Sequence, residues 1–307
     1  MAYFGPAGTF TEQALLTQLD YAAAERRPLP TIVDVLEAVR SGSVDLGFVP
    51  LENGIEGTVP VTLDGLVFDF DLLIQREVVL DIHLALMANE GTKLSDVTHV
   101  LSHPHALAQC RKFLAANVPG AESLASPSTA EAARALQERP EATTAVIAPR
   151  SAAAVYRLVV LAEAIEDHPE NQTRFVAVAN SGIPPVSGHD HTSIVCFQRA
   201  DHPGSLHSIV GQFSARDINL TKLESRPTKR GLGDYCFVID LEGHIADEVV
   251  ADCLRDLHAN QASVKFLGSY PAAGSHGVGS RLEAEQSWRR ADEWVRSLRS
   301  QIREDGG

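Results

Sequence analysis

Three times the chain sets a hydroxyl side chain just ahead of an amphipathic run: Thr9 before Glu12, Thr31 before Val35 and Ser128 before Glu131. A Ser or Thr there accepts from an amide that a helix start leaves unpaired, and a Glu three positions on strengthens the signal. Short apolar runs at Ala2–Phe4, Leu46–Pro50, Val97–Leu101 and Thr144–Ala148 alternate with these helix starts. Strands alternating with helices point to an α/β fold, and open α/β sheets place their ligands beyond the carboxyl ends of the strands.

The helix from Thr9 is expected to turn Ala14, Leu15, Leu19 and Ala22 to one side, and the helix from Thr31 to turn Val35, Leu36 and Val39 inward before Gly42 stops it. Leu72–Met87 is expected as nearly continuous strand, and Pro104 suits the first turn of a helix running to about Asn117. Phe175–Ala179 then returns the chain to the first lobe. The expectation is a two-lobed, periplasmic-binding-protein-like α/β domain over 1–181, with its second lobe at about 79–174. Residues 182–191, rich in Gly and Pro, form a linker in which His189 and His191 are solvated. Beyond it, strand, helix, strand, strand, helix, strand over 192–271 is the ferredoxin-like α+β order. In the tail, 272–307, Trp288, Trp294, Val295 and Leu298 stand at helical spacing over about 280–303, a face expected to pack on a neighbouring domain or subunit.

A formal net charge of -14 argues against nucleic acid or an anionic membrane as partner. No apolar run nears the roughly 18 residues of a membrane span, and Met1–Phe4 lacks a signal peptide's charged start and apolar core. Cys110, Cys196, Cys236 and Cys253 lack paired spacing and are expected as reduced core residues of a cytoplasmic protein.

Four polar stretches are expected to face the cleft. They are Gly5–Glu12, Leu51–Val59, the segment opening at Ser102, and Asn171–Phe175 at a strand mouth. Gly8 and the helix start at Thr9 can receive an anion through unpaired amides. His103 and His105 have no acidic or cysteine partner at metal-ligand spacing, so no metal is expected.

The runs Gly5-Pro6-Ala7-Gly8-Thr9-Phe10, Pro50-Leu51-Glu52-Asn53, Gly57-Thr58-Val59, Ser102-His103-Pro104 and Thr173-Arg174-Phe175 occur in one order, and together they resemble the catalytic domain of prephenate dehydratases. The chain departs from that pattern at Gly54, where the family more often has serine, and at His105, where it more often has glutamine. The resemblance implies the conversion of prephenate to phenylpyruvate without metal or redox cofactor. It implies catalytic roles for Thr173, Arg174, Glu52, Asn53, Ser102 and Gln109, and substrate contacts from Ala7, Gly8, Thr9, Gly57, Thr58 and Phe175. Arg174 would fork onto a carboxylate and Thr173 would donate to the departing hydroxyl.

His202-Pro203-Gly204-Ser205-Leu206 and Asn219–Pro227 resemble the phenylalanine-binding motifs of the ACT regulatory domain in the same family. They imply an allosteric L-phenylalanine site at Gly204, Ser205, Leu206, Asn219, Leu220, Glu224 and Ser225, with Glu224 on the ammonium. The reading is of a monofunctional homo-oligomer, dimer or tetramer, associating through ACT and catalytic domains. Arogenate dehydratase and a two-lobed small-molecule sensor are the alternatives.

Overall fold

Thr9, Thr31 and Ser128 each accept from the amide three residues on, that of Glu12, Asp34 and Glu131, in the computed structural model, which describes residues 1–198, 203–229, 234–274 and 278–301. His202 and the tail beyond 301 lie outside the described residues, as does the side chain of Trp288. The chain divides into two compact units, one of Met1–Phe70 with Val78–Ala179, the other of Asp71–Glu77 with the chain from Asn180.

The first unit contains β1 (Ala2–Phe4), α1 (Phe10–Leu16), α2 (Leu19–Ala23), β2 (Arg27–Leu29), α3 (Ile32–Arg40), β3 (Gly47–Asn53), β4 (Gly57–Thr58) and α4 (Pro60–Asp64). β5 (Leu73–Asp81) starts in the other unit and ends in this one. Then follow β6 (Leu84–Ala88), β7 (His99–Ser102), α5 (Pro104–Gln109), α6 (Arg111–Asn117), β8 (Glu122–Ala125), α7 (Thr129–Glu138), β9 (Thr144–Pro149), α8 (Arg150–Tyr156), β10 (Val159–Ala162) and β11 (Gln172–Ala179).

Two mixed sheets make two lobes, ordered β2-β1-β3-β11-β5, with β4 on β3, and β10-β6-β9-β7-β8. Strand alternation sorts the second sheet's core onto two faces: Leu84, Leu86 and Ala88 join one cluster, Ala85 and Met87 the other. In the first lobe Phe48 stacks on Phe175 at 5.8 Å, tying β3 to β11.

Several expectations change. The first helix stops at Leu16 because the Thr17 hydroxyl bonds back to the Ala14 carbonyl (2.6 Å); Leu19 opens a second helix and is exposed. The strand expected over 72–87 breaks at Ile82-His83, where the chain leaves one sheet for the other. Val78-Val79-Leu80 before the break and Leu84-Ala85-Leu86-Met87 after it both look like strand, which conceals the break in sequence. The helix expected from Pro104 to Asn117 is two, because Asp167 occupies the junction at Cys110: its amide donates to the Gln109 carbonyl (2.6 Å) and its carboxylate accepts from the Lys112 amide (3.1 Å). Leu51–Val59 is a β3–β4 hairpin, and Asn171–Phe175 lies within β11 apart from its first residue.

The second unit contains β12 (Asp190–Gln198), α9 (Ser205–Ser214), β13 (Leu220–Pro227), β14 (Tyr235–Glu242), α10 (Glu248–Asp256), β15 (Ala262–Pro271) and α11 (Val278–Arg299). Its antiparallel sheet runs β13-β14-β12-β15, the ferredoxin-like arrangement, with α9 and α10 closing the core through Ile209, Phe213, Val250 and Cys253. All four cysteines are free and buried. The linker gives way to strand at Asp190, and His191 is not solvated: its ring is mostly buried and meets the Glu77 carboxylate at 3.3 Å. Glu77 also accepts from the Ala273 amide (2.9 Å), so the first half of β5 is tied to this unit. On α11, Trp294 and Leu298 are exposed in the single chain.

Candidate active site

The two-lobed unit holds a cavity of about 550 Å³ with walls from both sheets. Its polar centre lies where β3 and β11 end side by side, in a register that sets Thr173 opposite Asn53 and Arg174 opposite Glu52. The Asn53 amide donates to the Thr173 hydroxyl (2.8 Å) and to the Asn171 side-chain carbonyl (3.1 Å), while its own carbonyl accepts from the amides of Ile55 and Glu56 (3.0 Å each). Asn53 is therefore fixed by the hairpin turn that follows it. Thr173 accepts from Asn53, so its proton remains free to point elsewhere.

From Asn171 the network crosses to the second lobe. The Asn171 amide donates to Gln109 (3.2 Å), and Gln109 donates to Glu56 (3.4 Å). Glu56 also faces His105 Nδ1 at 3.5 Å, and the rings of His103 and His105 meet edge to face at 4.9 Å. Burial, reinforced by the neighbouring His105, lowers the pKa of His103 and so favours its neutral form. Gln109 owes its place to the helix break at Cys110, which makes it the last residue of α5.

Strand alternation separates Thr173 and Phe175, which line the cavity, from Arg174, which does not. Arg174 lies 3.7 Å from Glu52, and Glu52 is likewise off the wall. Thr9, Gly57 and Thr58 line the cavity; Ala7 and Gly8 do not. The Gly8 amide is occupied by the Glu12 carboxylate (2.7 Å), so this helix start carries an anion of its own. Gly8 has φ +80°, and a Cβ there would meet Tyr156 at 3.1 Å and Ala152 at 3.3 Å, so the glycine lets α8 approach the loop. Tyr156 closes that contact by donating to the Ala7 carbonyl (2.7 Å). Ser102 is fully buried and donates to the Ile147 carbonyl (2.6 Å), bracing β7 against β9.

Residues 1–182 match the family described as prephenate dehydratase, and residues 192–259 match the ACT domain. The chain belongs to the prephenate dehydratase family. A prephenate dehydratase of Amycolatopsis methanolica is 40% identical over 303 residues, covering 97% of each chain. A bifunctional chorismate mutase/prephenate dehydratase of Pseudomonas aeruginosa is 40% identical over 273 residues, 89% of this chain and 73% of that one. The solved prephenate dehydratase of Arthrobacter aurescens in complex with L-Phe superposes with a TM-score of 0.89 at 39% identity, covering 97% of this chain and 99% of that chain.

In the ACT domain of this prephenate dehydratase family member, Gly204 is the left-handed N-cap of α9, Ser205 accepts from Gln198 (2.8 Å) and Leu206 is exposed. Asn219 donates to Glu242 (3.0 Å). The register of β13 shifts between Leu220 and Lys222. Leu220 packs on the helix-side core, whereas Glu224 pairs with Val238 on the opposite face, between Lys222 (3.3 Å) and Arg226 (3.6 Å). Ser225 pairs with Phe237 and so returns to the helix side.

Glu56, His103 and His105 line the cavity although they are absent from the sequence-derived site. The signal available for Glu56 was the polar density of 52–58; for the histidines it was a helix start in a motif already singled out. Both segments are expected to face one cleft, but the approach of Glu56 to His105 across it is not encoded in either.

Proposed function

We propose that the cavity binds prephenate and converts it to phenylpyruvate. The ring C–CO₂ bond breaks to release carbon dioxide, its electron pair moves into the ring, and the C–O bond at the opposite ring carbon breaks as the ring becomes aromatic. The departing hydroxide takes a proton and leaves as water. Electrons balance within the substrate, so the step calls for no redox partner. The protein must hold a dianion and stabilise charge on one leaving oxygen.

The observation that carries this reading is the 2.8 Å bond from Asn53 to Thr173, which commits the hydroxyl as acceptor and leaves its proton for the leaving oxygen. Thr9, Gly57, Thr58 and Gln109 supply polar wall, and Phe175 borders the ring's place. Arg174 and Glu52 act through the pair they make, holding β11 to β3 beneath the site. The test follows phenylpyruvate formation from prephenate by the purified full chain, with arogenate in parallel. Turnover of prephenate is expected. Preference for arogenate would reassign the substrate, and absence of product from both would favour a two-lobed sensor.

The ACT domain carries feedback by L-phenylalanine in this reading, at a site shared by two copies of the chain. Gly204 and Asn219 flank opposite ends of α9, a helix of 10 residues, or about 15 Å. One amino acid cannot touch both ends within one copy. A pair related by a twofold axis can bring one end of each together. The free buried cysteines suit a reducing cytoplasm, and among the described residues no helix is long and apolar enough to cross a membrane.

A further inference from the structure

The cavity proposed for a dianion has no Lys or Arg among the described residues of its wall, and it contributes a carboxylate of its own, Glu56. Arg174, the cation expected for this task, faces Glu52 off the wall. Only His103 and His105 can bring positive charge to the lining. Of the two, His103 is the more enclosed, while His105 sits across from Glu56 with its side chain 59% exposed.

We propose that His105 is the substrate-binding cation of this cavity, holding one carboxylate of the substrate through Nε2 while Nδ1 faces Glu56. The inference rests on the reading of the cavity as the prephenate site. Glu56 belongs to the β3–β4 hairpin of one lobe and His105 to the start of α5 in the other, so the pair spans the cleft. The titratable side chains recorded against His105 are Glu56 across the cleft and His103 on its own helix cap; Gln109, one turn along α5, is neutral and donates to the other Glu56 oxygen. With the imidazole protonated, the pair is neutral overall and offers an N–H to an anion. When the imidazole is neutral, Glu56 leaves the wall with a net negative charge that repels a carboxylate. The sign follows: affinity for a dianion is high at low pH and is lost as pH rises. A glutamine at 105, the residue more frequent in the family, keeps a donor but cannot neutralise Glu56.

Steady-state kinetics on the full chain with prephenate, across the interval of about pH 5 to 8 in which imidazoles change charge, tests this with His105→Gln and His105→Lys. Wild-type KM is expected to rise with pH, and His105→Gln to raise KM about tenfold at the acid end, proportionally more than it lowers kcat, with a flattened profile. His105→Lys should recover a low KM without the pH dependence, since its charge persists throughout. A folded His105→Gln with wild-type KM and profile overturns the assignment while leaving the prephenate reading intact. A wild-type chain that makes no phenylpyruvate at any pH overturns that reading itself, and the assignment with it.

Discussion

Thr173 and Arg174 are adjacent in sequence and do different work, because successive side chains of a strand point to opposite faces. Thr173→Ala should keep the fold and lower kcat about a hundredfold, roughly 2.7 kcal/mol of transition-state stabilisation. Thr173→Ser, which retains a hydroxyl opposite Asn53, should recover much of the rate; near-normal turnover by the folded alanine variant would remove Thr173 from the chemistry. For Arg174 the measurement is a double-mutant cycle on stability with Glu52. Arg174→Lys and Glu52→Gln should couple by about 0.5–1 kcal/mol, as a partly exposed pair does, with a smaller effect on kcat than at Thr173. Additive stabilities together with a raised KM for Arg174→Lys would instead return Arg174 to the substrate. The motif identified both residues in sequence. Which of them meets the cavity depends on the register of β11 against β3, a pairing across some 120 positions that no local pattern encodes.

At the scale of elements, caps and strand order were legible because they are local: Thr9, Thr31 and Ser128 name their helices by side-chain-to-amide bonds three residues long. Breaks set by distant residues were not. Asp167 divides α5 from α6 from more than 50 positions away, and the strand-like residues on both sides of Ile82-His83 hide where β5 gives way to β6. The most consequential of these hidden features is the first half of β5, which groups with the ferredoxin-like unit. Gly268 on β15 accommodates it: with φ +140°, an added Cβ would stand 2.6 Å from the Ile74 carbonyl oxygen and 3.0 Å from its nitrogen. Backbone cannot yield as a flexible side chain can. Gly268→Ala should therefore destabilise this unit by about 2–3 kcal/mol or more, measured by chemical denaturation with a probe in the unit. A change within about 0.5 kcal/mol, the range of ordinary surface substitutions, would mean that the 71–77 segment does not pack on β15 in solution.

At the scale of the whole molecule the question is how a small ligand on the ACT domain can change turnover in the cavity. A ligand shifts an equilibrium only by its difference in affinity between two states, so the proposed feedback requires L-phenylalanine to prefer one arrangement of the protein over another. A site built from opposite ends of α9 in two copies has that property, because it is complete only when the copies are correctly apposed. In the proposed shared site the bulge in β13 sorts the candidate side chains. Asn219 and Leu220 stay at the helix-side end, whereas Glu224 turns to the other face between Lys222 and Arg226. The expectation that Glu224 receives the ammonium would place the ligand on that other face. Phenylalanine should lower turnover of prephenate; Asn219→Ala should raise the concentration needed for half-inhibition about tenfold or more, and Glu224→Ala should change it much less. Calorimetry should give one phenylalanine per chain in a species that sedimentation identifies as at least a dimer. Tight binding by a monomer would sink the shared site, and loss of inhibition in Glu224→Ala with wild-type behaviour in Asn219→Ala would move the ligand to the opposite face of the sheet.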